Sequence, residues 1–320
     1  MLDAGSKAFF QILSRSRVLK TVASRYGMAG RNAFARRFVA GETVEDAIGV
    51  VRRLEAQGLH HTLDHLGESV SSLEGSEGCT RDYLNLIEEV ARAGIERNIS
   101  LKLTQLGLDV DRAVCVDNLR RILAAGDRHG FFVRVDMESS AYTDATLEIF
   151  ETVWRDGNRN VGVVLQSCLY RTENDFERVN ALGARIRLVK GAYKEPKTVA
   201  YQLKADVDAA YVRLARRLLI EGTSPAIATH DEQILGNVKQ FAADRAIGPD
   251  GYEIQMLYGI RRDLQTSLAA EGHRVRVYVP FGREWFPYFM RRLGERPANV
   301  AFLLRSLLSE KQIPTTQRMR

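Results

Sequence analysis

Eight short apolar segments that alternate with amphipathic segments of helical period are the strongest constraint on the fold of this chain. The strand candidates are "LHHTLDHL" from Leu59, "ISLKL" from Ile99, "FFVRVD" from Phe131, "VGVVLQ" from Val161, "RIRLVK" from Arg185, "AIATH" from Ala226, "YEIQM" from Tyr252 and "VRVYV" from Val275. Eight strand–helix units over about 250 residues predict an α/β fold, a (β/α)₈ TIM-type barrel with extra N-terminal helices. An open doubly wound sheet is less favoured, because no G-x-G-x-x-G follows a candidate strand.

The domain organisation follows from the same pattern. The chain has 320 residues, and no Pro/Gly/Ser-rich linker interrupts it. We therefore expect a single barrel from 57 to 320, including a C-terminal helix, with residues 1–56 as helices packed on it. The helical pattern that precedes Gly222 is expected to stop at this glycine.

The composition is that of an ordinary globular protein, with 45% hydrophobic and 27% charged residues. No apolar run approaches the roughly 18 residues that a membrane-spanning helix needs. Cys79, Cys115 and Cys168 form no C-x-x-C pair, so neither a disulfide framework nor a zinc knuckle is indicated. A reducing, cytoplasmic location fits these observations.

Positive charge is concentrated at the N-terminus. The first 40 residues hold eight Lys or Arg against the single acidic residue Asp3. Such a segment is typical of a solvated helical face, a membrane-surface helix, a transit peptide or a nucleic-acid arm. Phe9, Phe10, Leu13 and Val18 favour peripheral contact with the inner membrane among the functional alternatives. We expect no nucleic-acid partner, because no binding motif accompanies the charge.

Polar side chains stand at the ends of most predicted strands. In a barrel of this type the catalytic groups lie where strands end on the C-terminal face. The strand-end candidates are Lys102, Asp136, Gln166, Lys190 with Gly191, Thr229 with His230, and Tyr278. Each alone is an ordinary loop start, but together they predict an active site on one rim.

A second candidate is "FPYFMRRLGE", which places two arginines in an apolar helical segment. Neighbouring side chains diverge by about 100° on a helix, so Arg291 and Arg292 cannot both face the core. Tyr288 and Glu295 stand three and four residues from the pair and flank both arginines. The segment therefore indicates either a polar pocket that binds an anion or a solvated basic edge.

Other patterns leave alternatives open. Lys190 and Gly191 follow a strand and could bind an anion, whereas Arg187 could be an interior arginine paired with a carboxylate. The histidines of "HHTLDH" are better explained as buried histidines than as metal ligands, and no metal site is expected. No G-x-S-x-G elbow supports a serine hydrolase.

These residues together resemble the proline dehydrogenase family. The matching segments are "LDHLGE", "LKLTQLGLD", "VRVDMES", "VGVVLQSCLYRTENDFE", "RIRLVKGAY", "ATHD", "EIQMLYGIR" and "VYVPFGREWFPYFMRRLGERPAN". The resemblance implies a monofunctional, FAD-dependent bacterial enzyme that oxidises L-proline to Δ1-pyrroline-5-carboxylate by hydride transfer from proline C5 to flavin N5. Electrons would pass to a membrane quinone.

The resemblance also implies roles for individual residues. Asp136 would hold Lys102, and Arg187 would face the flavin N5 edge. The residues expected at the substrate are Lys102, Arg291 and Arg292 as a carboxylate clamp, Tyr278 and Tyr288 against the ring, Leu188 and Tyr193 in the pocket, Glu68 as a gate and Glu295 as a support for the arginines. The residues expected at FAD are Met137, Gln166, Arg187, Lys190, Gly191, Ala192, Thr229 and His230. The alternatives are a flavin barrel oxidoreductase for another cyclic amino acid and a non-catalytic barrel that binds an acidic metabolite.

Overall fold

The computed structural model describes residues 34–67 and 70–295, and its centre is a closed barrel of eight parallel strands. The strands are β1 (His60–His65), β2 (Asn98–Leu101), β3 (Phe132–Val135), β4 (Val161–Gln166), β5 (Arg185–Val189), β6 (Thr223–Ala228), β7 (Glu253–Leu257) and β8 (Arg274–Phe281). Neighbours in sequence are neighbours in the barrel, and β8 closes it by pairing with β1. The predicted (β/α)₈ fold is therefore confirmed.

Helices cover the outside of the barrel. In the described part of the chain they are α1 (Val44–Glu55), α2 (Leu73–Ala93), α3 (Arg112–Arg128), α4 (Thr143–Arg155), α5 (Thr172–Asn180), α6 (Lys204–Glu221), α7 (Glu232–Asp244), α8 (Arg262–Ala270) and α9 (Trp285–Glu295). Their apolar faces and the outward side chains of the strands form one continuous core. No helix among these residues is both long enough and apolar enough to span a bilayer.

Local sequence signals set several helix ends. Ser72 caps α2 by accepting a hydrogen bond from the Gly75 amide, and Gly94 ends this helix in the left-handed conformation, at φ 67°. Gly222 follows the last residue of α6 as predicted, although its backbone there is extended. These ends place the following strands at the barrel wall.

Residues 1–33, which carry most of the basic N-terminal segment, lie outside the described residues. From Phe34 onward the chain packs on the barrel. Phe38 and Val39 join Trp285 and Phe289 in a separate apolar cluster, and α1 lies against β1 and β8. This cluster fixes α9 above the carboxyl ends of β8 and β1.

Candidate active site

Asp136 is the centre of a buried polar network at the C-terminal end of the barrel. Its Oδ1 accepts a hydrogen bond from Arg187 Nη1 at 2.7 Å, and its Oδ2 accepts one from the Tyr278 hydroxyl at 2.7 Å. Arg187 Nη2 also donates to Ser100 Oγ at 3.1 Å. The network joins groups from β2, β3, β5 and β8, so it fixes the arginine and the tyrosine relative to the barrel.

The protonation of this network follows from its burial. Burial and the carboxylates of Asp136 and Asp64 raise the pKa of Tyr278 well above its usual range. The phenol therefore stays neutral and donates to Asp136. Arg187 Nε is buried and has no hydrogen-bond partner among the described residues. A buried donor of this kind is suited to a ligand that brings an acceptor.

Lys102 pairs with a carboxylate other than the predicted one. Its Nζ lies 3.7 Å from Asp64 Oδ1, and Asp64 is fully buried. Asp136 accepts hydrogen bonds from Arg187 and Tyr278, and Asp64 is the carboxylate that lies beside Lys102, so the expectation that Asp136 holds Lys102 stays a prediction. The register brings Asp64 to this place: Asp64 pairs with Ser100 across β1 and β2, two residues before Lys102.

The arginine pair lies on α9, as the sequence predicts. The guanidinium carbon of Arg292 lies 5.2 Å from the ring centroid of Tyr288, one helical turn earlier. Both arginines are half-buried and Tyr288 is 7% exposed. Glu68 and the side chain of Glu295 lie outside the described residues, so the roles expected for them stay predictions.

A cavity of about 640 Å³ adjoins this helix. Its lining includes Tyr288, Arg291, Leu66, His65 and Phe281. It does not reach Lys102, Asp136 or Arg187. The cavity therefore borders Arg291 from the side of β1 and α2, and the interior network does not line it.

The ends of β4 and β5 approach each other closely. Gly191 has φ 109°, and a Cβ added there would lie 2.3 Å from Cys168 Sγ and 3.0 Å from Gln166 Oε1. Gln166 is buried and donates from Nε2 to the Glu138 carbonyl at 2.7 Å. A side chain at position 191 would clash with Cys168, so the close packing of these two strand ends and the positive φ both require glycine.

Lys190 is already bound by carboxylates. Its Nζ lies 2.5 Å from Asp208 and 2.9 Å from Asp231, and Lys204 contacts the same two residues. Burial would raise the pKa of Asp231, but the hydrogen bond from Lys190 outweighs it and the pKa falls to about 2. The predicted anion site at Lys190 therefore contains two carboxylates that an incoming anion would have to displace.

The other expected cofactor residues lie on the same rim. Thr229 and Met137 are buried, and Ala192 is exposed. His230 Nε2 accepts a hydrogen bond from the Leu257 amide at 2.8 Å, which assigns the ring proton to Nδ1 in the neutral form. The structure thus brings the strand-end candidates of β3 to β6 to one side of the barrel mouth.

Leu188 and Tyr193 differ in their placement. Tyr193 is 39% exposed on the rim, whereas Leu188 is 2% exposed and belongs to the main core. Alternation along β5 sends Leu188 to the face opposite Arg187. This placement favours a packing role for Leu188 over contact with a substrate.

The sequence analysis missed three polar residues of this region. Asp64 holds Lys102, Ser100 holds Arg187, and Glu138 accepts from Thr104 Oγ1 at 2.8 Å. The alternation of side chains along a strand could have identified Asp64 and Ser100, since both side chains point into the barrel interior. Among the residues that the structure describes, no group is arranged to bind a metal ion.

Comparison with known proteins gives the family to which this chain is similar. The family model described as proline dehydrogenase matches residues 47–305. The chain is 48% identical to the proline dehydrogenase of Deinococcus radiodurans over 278 residues, covering 86% of this chain and 90% of that one. It is 40% identical to proline dehydrogenase 2 of Bacillus subtilis (strain 168) over 302 residues, covering 94% of this chain and 98% of that one.

Solved structures show the same fold. The proline utilization A protein from Bdellovibrio bacteriovorus, inactivated by N-propargylglycine, superposes with a TM-score of 0.76 at 24% sequence identity. The match covers 89% of this chain and 38% of that one. At this identity the superposition supports the barrel alone.

Proposed function

This chain belongs to the proline dehydrogenase family, and from that membership we propose that it binds FAD on the barrel rim and passes electrons to a membrane quinone. It oxidises proline, the first step of proline catabolism. The product would be Δ1-pyrroline-5-carboxylate. The observation that carries the assignment of the site is the Asp136–Arg187–Tyr278 network, which ends in a buried donor without a partner among the described residues.

Two features support a flavin at this rim. The first is the buried Arg187 Nε, which offers a cationic donor to a ring nitrogen or carbonyl. The second is Gly191 at the end of β5, which has no side chain, so that its backbone can approach a planar or phosphorylated group closely. When bound, FAD would accept the hydride from proline C5 at N5. Met137, Ala192, Thr229 and His230 would line it.

The substrate carboxylate would be held by Lys102, Arg291 and Arg292. Asp64 sets the position of the lysine, and the Tyr288 ring supports Arg292. A planar guanidinium can bind two carboxylate oxygens at once, so divergent arginines on α9 can hold one carboxylate from two directions. Tyr278 and Tyr288 would pack against the pyrrolidine ring and orient its C5.

The cations also favour the reactive state of the substrate. Hydride loss from C5 needs an unprotonated amine, because its lone pair stabilises the cation that develops. Three positive groups around the carboxylate lower the proton affinity of the nearby amine by like-charge repulsion. Arg187 would stabilise negative charge on the acceptor side, and Asp136 keeps this arginine in place.

The electron acceptor and the location are also proposals. We place the enzyme in the cytoplasm, at the inner surface of the membrane, where a quinone can reoxidise the cofactor. The basic N-terminal segment would contribute to this contact, as its charge predicts.

Flavin spectroscopy tests the proposed function directly. The purified protein, reconstituted with FAD, should show the bands of oxidised flavin and lose them on anaerobic addition of L-proline. Pyrrolidine, D-proline and six-membered cyclic amino acids form the substrate panel. A protein that takes up no flavin would refute the cofactor assignment, and stronger bleaching by another cyclic amino acid would refute the substrate.

A further inference from the structure

Exposed apolar side chains are concentrated on one part of the rim. In the described residues six large apolar side chains are exposed, and four of them lie in the loops after β4 and β5. These four are Tyr170, Tyr193, Val199 and Leu203, with exposures of 47%, 39%, 37% and 65%. Single exposed apolar residues are common, but a cluster on neighbouring loops indicates a binding surface.

The loops that carry this cluster are held rigidly. Leu169 and Ala200 form an antiparallel bridge, and the Tyr170 amide donates to the Val199 carbonyl at 3.0 Å. The Tyr170 hydroxyl donates to the Lys197 carbonyl at 3.1 Å. These hydrogen bonds fix the backbone of the loop. The loop would have to break them to turn its apolar side chains inward.

A second contact anchors the start of the same loop. Glu195 is 8% exposed, and its Oε1 accepts a hydrogen bond from the Ser140 amide at 2.8 Å. The Tyr170 ring also packs edge-on against Tyr201, with centroids 4.7 Å apart. The exposure of the cluster is therefore a property of the folded loop.

The charge around the cluster is positive. Between residues 191 and 206 the exposed charged side chains are Lys194, Lys197, Lys204 and Asp206. Lys204 is paired with the carboxylates at the base of the loop, which leaves the two lysines Lys194 and Lys197 against the single acidic residue Asp206. Apolar and aromatic residues bordered by lysines are typical of surfaces that insert shallowly into anionic lipid.

We propose that Tyr170, Val199 and Leu203, with Lys194 and Lys197, form a docking surface for an anionic membrane, which we name the rim patch. The inference rests on the proposed quinone acceptor. The rim patch lies on the loops after β4 and β5, beside Gly191, so docking would turn the proposed flavin side of the barrel towards the lipid. A quinone dissolved in the bilayer would then reach the cofactor without crossing the protein.

The chain provides a matched control at its opposite pole. Ile220 is 54% exposed near the end of α6, whereas Leu203 precedes the first residue of this helix. Helix α6 runs back from the C-terminal to the N-terminal end of the barrel, so the two side chains point from opposite poles. Leu203 caps α6 without a side-chain hydrogen bond, so a glutamate there removes no cap.

Vesicle sedimentation of the FAD-loaded full chain tests the rim patch. Vesicles are made from phosphatidylcholine alone or mixed with phosphatidylglycerol. The wild type should bind the mixed vesicles, and Val199→Glu/Leu203→Glu should weaken its partition about tenfold or more. Lys194→Ala/Lys197→Ala should abolish the preference for phosphatidylglycerol. Ile220→Glu should bind as the wild type does.

Activity assays separate this proposal from the proposed function. With a soluble dye the rim patch variants should oxidise proline at the wild-type rate, and with a quinone in vesicles they should be slower. Wild-type sedimentation with neither vesicle, or equal losses in the Val199/Leu203 and Ile220 variants, would overturn the rim patch. Loss of flavin or a changed oligomeric state in the Val199/Leu203 variant would also overturn it. Normal vesicle binding without proline oxidation would refute only the proposed function.

Discussion

Two buried arginines inside the same barrel have different surroundings. Arg276, near the N-terminal end of β8, donates from Nε and Nη2 to the two carboxylate oxygens of Glu253 at 2.8 and 2.7 Å. It also lies 3.0 Å from Glu96 and donates to the His61 carbonyl. Arg187, towards the C-terminal end, has one carboxylate partner and an Nε without a partner among the described residues.

We interpret the difference as one between a structural network and the proposed functional one. Every nitrogen of Arg276 has a protein acceptor, so the N-terminal network is complete without a ligand. Burial lowers the pKa of Arg276, but Glu253 and Glu96 outweigh it and raise the pKa. The Arg187 network contains a donor, Arg187 Nε, that has no partner among the described residues, and it lies at the face where barrel enzymes bind substrates. Equal burial, 4% exposure at both arginines, therefore does not mean an equal role.

Removing each arginine should give the largest contrast. Arg276→Met leaves the largely buried Glu253 without its main partner and removes one partner of the half-buried Glu96, and we expect a loss of about 3–5 kcal/mol in the free energy of unfolding. Arg187→Met should lower stability less, since Asp136 still accepts a hydrogen bond from the Tyr278 hydroxyl. It should, however, lower kcat/KM for proline by about 100-fold or more. Urea unfolding and dye-linked kinetics, normalised to bound flavin, measure both. Reversed or equal effects would contradict the comparison.

The arginine pair on α9 should be the next most sensitive place. Arg291→Met and Arg292→Met each remove part of a carboxylate clamp, and each should cost on the order of 2–5 kcal/mol in kcat/KM for proline. Arg292→Lys should remain well below wild type, because an ammonium lacks the planar fork that binds two oxygens. Steady-state kinetics of the three variants measure the effect.

Pyrrolidine is the control for the same pair. It has the ring but no carboxylate, so it should be a poor substrate for the wild type and barely worse for either variant. The losses for proline should be non-additive in the double variant, because both arginines bind one group. Equal losses with proline and pyrrolidine would make the pair structural.

The sequence was sufficient for the barrel but only partly for the site. The strands follow from apolar runs, since each is buried on its outer face by a helix; β4 has the predicted bounds, and β8 extends further, to Phe281. Polar strand ends identified Asp136 as a candidate, and alternation along the strand indicated that Arg187 could be an interior arginine paired with a carboxylate. The sequence did not show that Asp136 is this carboxylate. Side-chain pairs such as Lys102–Asp64 depend on the register of neighbouring strands and the reach of each side chain, which no local pattern encodes.

Charge pairs between residues that are far apart in the sequence could not be predicted either. Lys190 is bound by Asp208 from α6 and by Asp231 from the loop after β6. The sequence places Lys190 after a strand, where it resembles a phosphate ligand. Only the packing of α6 beside β5 and β6 brings the carboxylates to it. The expectation of an anion site could not include these competitors.

The N-terminal network should also make stability depend on pH. Burial, followed by the nearby charges of Glu96 and Arg276, sets the pKa of His61 to about 4. An unfolded histidine has a pKa of about 6.5, so the unfolded chain binds this proton more tightly. The stabilisation is complete above pH about 6.5 and decreases as pH falls towards about 4, by about 3 kcal/mol at most.

Denaturation between pH 4.5 and 7 tests this dependence. His61→Gln should flatten the slope of unfolding free energy against pH, whereas His129→Gln, a change near the surface, should leave it. Burial raises the pKa of Glu96, but His60 and Arg276 outweigh burial and lower this pKa to about 2. A second decrease in the free energy of unfolding should therefore follow below pH about 4.3, where the carboxylate of the unfolded chain takes up a proton. An unchanged slope in His61→Gln would assign the acid sensitivity to other groups.

The smallest expected effect concerns Asp64, which is fully buried and contacts the proposed substrate clamp. Asp64→Asn keeps the size of the side chain and removes the charge beside Lys102, so the ammonium should be held less firmly. We expect kcat/KM for proline to fall by about 1–2 kcal/mol, mainly through KM, with little change for pyrrolidine. Lys102→Met should lower it further, and the double variant should resemble Lys102→Met alone, because Asp64 acts through the lysine. If Asp64→Asn instead lowers stability as Arg276→Met does and leaves the KM for proline unchanged, Asp64 belongs with the structural network, and the division between the two ends of the barrel lies closer to the rim.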